Sequence, residues 1–144
     1  MSMAESDKSV RVGMVVVAHG LLADGLREVL EHVVGPQEQT ATVCIGPEDD
    51  MEQRRDDIVK SINEVDRGAG VIVFTDMFGG TPSNLAISIM ERDRVEVIAG
   101  VNLPMLVRFA SLGKHECLED VVREVTNAGQ KYIKVASEVL REPS

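Results

Sequence analysis

Short, unbroken apolar runs rich in β-branched residues recur along this chain, and each is followed by a longer stretch with helical spacing. Val12–Ala18 (VGMVVVA) is such a run. It predicts a strand buried on both faces, because a strand with one wet face would alternate apolar with polar residues. After His19-Gly20, the stretch LLADGLREVLEHVVG sets Leu22, Leu26, Val29, Leu30 and Val33 at helical intervals, and Gly35-Pro36 stops it. Thr40–Ile45 predicts a second strand, Gly46–Asp50 a turn, and Met51–Val65 a helix with Ile58, Val59, Ile62 and Val65 on its inner face. Gly70–Thr75 (GVIVFT) predicts a third buried strand. Beyond Gly79-Gly80 a helix is expected over Ser83–Glu91, with Thr81 as N-cap and Pro82 in the first turn. Val95–Ala99 predicts a fourth strand, and Asn102-Leu103-Pro104 start a helix over Met105–Ser111. Leu118–Leu140 closes the chain as one or two helices, with Gly129 a candidate break.

Strands that alternate with helices at this spacing join by right-handed crossovers and lie parallel. The expected fold is therefore α/β: a doubly wound, mostly parallel sheet of about four strands with helices on both faces. Residues 1–10 read as a disordered lead, and residues 11–144 as a single domain.

Charge and composition narrow the function. The chain carries 15 Lys and Arg against 24 Asp and Glu, a net charge of −9, and its aromatic content is 3%. It lacks both the basic patch and the stacking platforms that nucleic acids require, and it would be repelled by anionic membrane surfaces. A basic protein partner fits better. The two cysteines, Cys44 and Cys117, have no metal-type spacing and form no disulfide framework, which points to a reducing cytoplasm. The N-terminus has no apolar signal segment, and no apolar run is long enough to span a bilayer.

In sheets of this kind, ligands bind outside the carboxyl ends of the strands. The residues that follow the strands are His19-Gly20, Gly46-Pro47, the segment Asp76–Pro82 and Gly100-Val101-Asn102. At such an edge a neutral His19 is a candidate nucleophile. Asp76, at the neighbouring strand end, can fix its tautomer by accepting a hydrogen bond from one ring nitrogen. Gly79, Gly80 and Thr81 could then offer backbone N–H groups and a hydroxyl to the oxygens of a transferring phosphoryl group. Blander readings remain open for each. A lone histidine at a strand end is commonly a structural hydrogen-bonder, Asp76 can be a turn residue, and Gly-Gly-Thr-Pro can be a tight turn with a helix start. No metal site is expected, because only one histidine is in place. No cofactor is expected either, since the chain has neither a Walker loop nor G-x-G-x-x-G after the first strand. His32 is assigned to an outer helix face, His115 to a surface turn and Cys44 to the core.

Three segments together resemble one family. VVVAHGLLADGL is similar to the start of the IIA component of the mannose-family (mannose/fructose/sorbose) phosphotransferase system (PTS). FTDMFGGTPSNLA resembles that family's second signature, and GVNLPML its third, in the same order and spacing across residues 11–140. The resemblance implies a cytoplasmic, homodimeric phosphoryl carrier that needs no cofactor. Such a carrier accepts a phosphoryl group from phospho-HPr on a histidine. It then passes the group to a separate IIB component, or signals by its phosphorylation state. The matching positions make His19 the phosphorylated residue, Asp76 its orienting carboxylate and Thr81 the stabilising hydroxyl, with Gly20, Asn84 and Asn102 lining the site. No linker and IIB domain are read after Leu140, so the acceptor is expected on another chain. The alternatives are the phosphotransfer subunit of a dihydroxyacetone kinase and a non-catalytic flavodoxin-like or receiver-like module.

Overall fold

The structure is a computed structural model that describes residues 10–91, 93–113 and 116–141. The expected lead, except Val10, and His115 lie outside the described residues. Four strands, β1 (Gly13–His19), β2 (Thr40–Ile45), β3 (Val71–Thr75) and β4 (Val95–Ala99), form one parallel sheet in the order β2-β1-β3-β4. Among the described residues the helices are α1 (Leu22–Val34), α2 (Met51–Val65), α3 (Thr81–Ser88), α4 (Leu103–Ser111), α5 (Leu118–Lys131) and α6 (Ala136–Arg141). None is long and apolar enough to cross a membrane.

The central strand explains the unbroken apolar pattern. Met14, Val16 and Ala18 of β1 pack on one face with α1, α4 and α5 through Ala23, Leu30, Leu106, Phe109 and Val125. Val15 and Val17 pack on the other face with α2 and α3 through Ile58, Ile62, Leu85 and Ala86. All five of these β1 side chains are fully buried. At ~25 cal/mol per Å² of apolar surface, such double-sided burial is the main source of stability. The chain leaves β1 toward one face and β3 toward the other, so the gap between their carboxyl ends is the topological switch point.

Several local expectations are corrected. Gly80, not Thr81, is the N-cap of α3; Thr81 and Pro82 are its first two helical residues. The cause is space: a Cβ on Gly80 would stand 2.9 Å from Cε1 of His19, so a glycine must occupy the turn into the helix. That helix also ends at Ser88 rather than Glu91, where Ile89 N–H turns back to Ala86 O and the chain bends toward β4. Val59 is exposed, leaving Ile58, Ile62 and Val65 as the buried face of α2. Gly129 does not break α5, which continues to Lys131. It is a close-approach glycine instead, since a Cβ there would fall 2.5 Å from Cγ of Met105 on α4. Beyond it, Ile133, Val135, Val139 and Leu140 are exposed, and α6 buries no residue.

Candidate active site

His19 ends β1, and Asp76 is the first residue after β3. The register pairs Val17 with Thr75, so His19, two residues on, and Asp76, one residue on, leave the sheet at the same end. Oδ2 of Asp76 accepts the backbone N–H of His19 at 2.9 Å and lies 2.7 Å from its Nδ1. Oδ1 accepts the N–H of Met77 at 3.0 Å. An ionised carboxylate can only accept, so Nδ1 carries the proton and Nε2 keeps a free lone pair. Burial pushes the Asp76 carboxyl up, but the backbone bond from His19, its ring hydrogen bond and, when the ring is protonated, its charge outweigh that and hold it below the usual carboxylate range. Asp76 is thus ionised at neutral pH. Its side chain is 13% exposed against 49% for His19, so the carboxylate is sheltered and the imidazole is open.

The chain turns at once after His19. Gly20 adopts φ +60° and donates its N–H to Ile45 O at 2.8 Å, which carries the backbone off the sheet. Across the gap, Gly80 packs against the imidazole edge. At the start of α3 the N–H groups of Gly80, Thr81 and Ser83 take no acceptor among the described residues, and the hydroxyl of exposed Thr81 takes no partner. Free amides at a helix start favour an anion. Gly79 differs: its N–H is already held by Oγ of Ser83 at 3.1 Å, so in this geometry it shapes the loop rather than offering a donor.

Asn84 is exposed and reaches back to Gly79 O at 3.5 Å, at the limit of a hydrogen bond. Among the described residues Asn102 makes no hydrogen bond to His19. Its Oδ1 caps α4 by accepting Met105 N–H at 3.1 Å, and its Nδ2 donates to Gly129 O at 3.0 Å, so its side chain ties α4 to α5. His32 is exposed on α1. Cys44 is half-buried against the core, and burial, the largest influence on it, raises its thiol. Both cysteines are free. Among the described residues no cluster of three or more His, Cys, Asp or Glu could hold a metal ion. Reading the sequence alone passes over Ser83, whose only signal is a hydroxyl three residues after Gly80, close enough to reach back onto the glycine pair.

The open side of His19 is apolar. Leu21 is 79% exposed, Phe78 78% and Met77 57%. Contiguous exposed apolar side chains of this kind are a feature of surfaces that bind other molecules.

Comparison with known proteins gives a consistent result. The model of the family described as the PTS system fructose IIA component matches residues 13–126. The chain is 26% identical to the PTS system fructose-specific EIIA component of Bacillus subtilis over 132 residues, which is 91% of this chain and 90% of that protein. It is 33% identical to the PTS system mannose-specific EIIAB component of Escherichia coli over 97 residues, covering 67% of this chain but 30% of that protein. Among solved structures, it is similar to the PTS IIA protein associated with the fucose utilization operon from Streptococcus pneumoniae. The TM-score is 0.82 at 26% identity, covering 92% of this chain and 98% of that one. The phosphotransferase system component EIIA from Streptococcus agalactiae superposes with a TM-score of 0.80 at 25% identity, covering 89% and 99% of the two chains.

Proposed function

The chain belongs to the mannose-family PTS IIA components, whose role is phosphotransfer in sugar uptake, and on that premise we propose that His19 carries the phosphoryl group on Nε2. The observation that supports this most directly is the 2.7 Å approach of Asp76 Oδ2 to Nδ1. It leaves Nε2 as the free lone pair, facing the open side beside Gly80.

The donor in this reading is phospho-HPr, and the acceptor is an IIB component. The Nε2 lone pair attacks phosphorus in line; the new P–Nε2 bond forms as the bond from phosphorus to the donor's imidazole breaks, and the electron pair returns to the donor nitrogen. No proton needs to leave His19, because Nδ1–H stays on Asp76. The ring gains positive charge as the bond forms, and the Asp76 carboxylate stabilises it. The three equatorial oxygens meet the free amides of Gly80 and Thr81 and the Thr81 hydroxyl, whose donors are already oriented by the start of α3. Transfer onward to IIB repeats the step in reverse. A donor and an acceptor that are both proteins fit the exposed Leu21, Met77 and Phe78 around the nucleophile. The same reading places the protein in the cytoplasm as a homodimer, with exposed Ile133, Val135, Val139 and Leu140 as apolar surface left for a second copy.

The test is incubation with phosphoenolpyruvate, enzyme I and HPr, followed by intact mass. One phosphoryl adduct per chain, labile in acid and stable in base, is expected, and none with His19→Ala. Full labelling of His19→Ala would overturn the assignment.

A further inference from the structure

We infer that Ser83 is a positioning residue for phosphoryl transfer: its hydroxyl locks the Gly79-Gly80 turn so that the amide beside Nε2 of His19 points into the site. The inference rests on His19 being the phosphoryl acceptor.

Ser83 is fully buried although its side chain is polar. Its Oγ accepts the N–H of Gly79 at 3.1 Å and donates to the carbonyl of Gly80 at 3.2 Å. One hydroxyl has one hydrogen and two lone pairs, so both bonds can stand together. They fix the two peptide units on either side of the glycine pair. The Gly80 carbonyl also receives Asn84 N–H at 3.0 Å, and both of its partners lie on the helix side. In a trans peptide the C=O and the following N–H point in opposite directions. With the Gly80 carbonyl drawn toward the helix, the Thr81 N–H of the same peptide is turned outward, next to the residue that packs on the imidazole.

Without Ser83, little would hold this geometry. Gly79 adopts φ +88°, a conformation that glycine enters as one of several of similar energy. Two adjacent glycines have no side chains to restrain them, and the Gly79 N–H has no other acceptor among the described residues. The Asn84 bond would still anchor the Gly80 carbonyl, so removing the hydroxyl loosens the turn without freeing it entirely. Small misplacements of donors near a reacting centre cost large rate factors, on the order of 10² for about 1 Å. A partial loosening should cost about tenfold.

The experiment compares wild type, Ser83→Ala and Ser83→Thr in single-turnover transfer from phospho-HPr, with NMR hydrogen exchange at the Gly79 amide. We expect Ser83→Ala to slow the maximal transfer rate about tenfold, leave half-saturation by the donor unchanged and speed exchange at Gly79. Ser83→Thr, which keeps the hydroxyl, should retain most of the rate. A pure packing role would make the two variants equally slow, and that outcome overturns the inference, as does a folded Ser83→Ala that transfers at the wild-type rate. If Ser83→Ala does not fold, the wild-type protein still decides: a Gly79 amide that exchanges as freely as that of Gly80 overturns the proposal. A wild-type protein that takes up no phosphoryl group removes the His19 assignment, and this inference with it. Uptake by wild type with no effect of Ser83→Ala removes the inference alone.

Discussion

Replacing Asp76 by asparagine deletes a charge while keeping a shape, and the hydrogen bonds decide how the new amide must lie. Oδ2 serves two donors, the His19 N–H and Nδ1–H, whereas Oδ1 serves one, the Met77 N–H. An asparagine with its carbonyl toward His19 keeps two bonds and opposes one N–H. That N–H belongs to an exposed residue and can turn to water. The reverse orientation, with the ring proton moved to Nε2, also keeps two bonds but opposes the His19 backbone N–H, which the strand end holds in place. The first is favoured by roughly 1 kcal/mol, the net worth of one hydrogen bond. The variant therefore keeps Nδ1–H and the lone pair on Nε2. What it loses is the anion beside a ring that turns positive. Two unit charges about 4 Å apart attract by about 1 kcal/mol in water and about 4 kcal/mol at an effective dielectric near 20. A carboxylate 13% exposed beside a ring 49% exposed lies between these limits. With part of the charge developed in the transition state, about 1.5–3 kcal/mol is lost, or roughly 10- to 100-fold in rate. Rapid-quench single turnover from phospho-HPr would measure it. Asp76→Ala removes control of the tautomer as well and should fall further. Wild-type rates in Asp76→Asn would refute the electrostatic role, and equal losses in both variants would show that the charge, not control of the tautomer, accounts for the effect.

Gly80→Ala should lower phosphoryl uptake at least tenfold with little change in melting temperature. The backbone there, at φ −85°, accepts any residue, while the added methyl meets His19. Unchanged uptake would mean that the ring and the glycine are not in contact. Gly129→Ala should gain about 1 kcal/mol of helix propensity but lose about 1–3 kcal/mol to overpacking against Met105, for a net destabilisation in urea melts; a stabilised variant would show that the α4–α5 contact can relax. Asp66 accepts Gly68 N–H at 3.0 Å and both Nε and Nη2 of Arg94 at 3.1 and 2.6 Å. Burial raises its carboxyl, but the Gly68 bond and the Arg94 pairing hold it below the usual range. A carboxyl depressed in the fold adds stability above its unfolded pKa, about 3.9, and loses it as pH falls through the lower folded value. Asp66→Asn should therefore cost about 1–3 kcal/mol at pH near 7 and progressively less in acid below about pH 4. An equal cost at both pH values would contradict the pairing.

The sheet could be read from the sequence because its strands are buried on both faces, so a local run of Val and Ile is also a global statement. The edge that gathers His19 and Asp76 followed from the rule that parallel strands present their carboxyl ends together. What stayed hidden depends on neighbours distant in the chain. Gly129 looks like a helix breaker until Met105 is seen against it, and Val59 looks like a core residue until α2 is set on the sheet. Asn102 sits at the right edge, yet its amide is spent on α4 and α5. Ser83 has no spacing of its own, because its partners are backbone groups in a loop whose path only the fold defines.

Oδ2 of Asp76 holds the backbone of His19 as well as its ring, and so it extends the β1–β3 ladder by one rung made from a side chain. Those strands lie at the centre of the sheet, where local opening is rarest. The imidazole of His19 is therefore set by the part of the molecule that fluctuates least, while the amides proposed to receive the phosphoryl group follow a glycine pair tied by the Ser83 hydroxyl and the Asn84 N–H. In native-state exchange the His19 amide should exchange among the last. On warming, the alignment of imidazole and carboxylate should survive until the whole domain melts, so any earlier decline in phosphoryl uptake would originate on the glycine side.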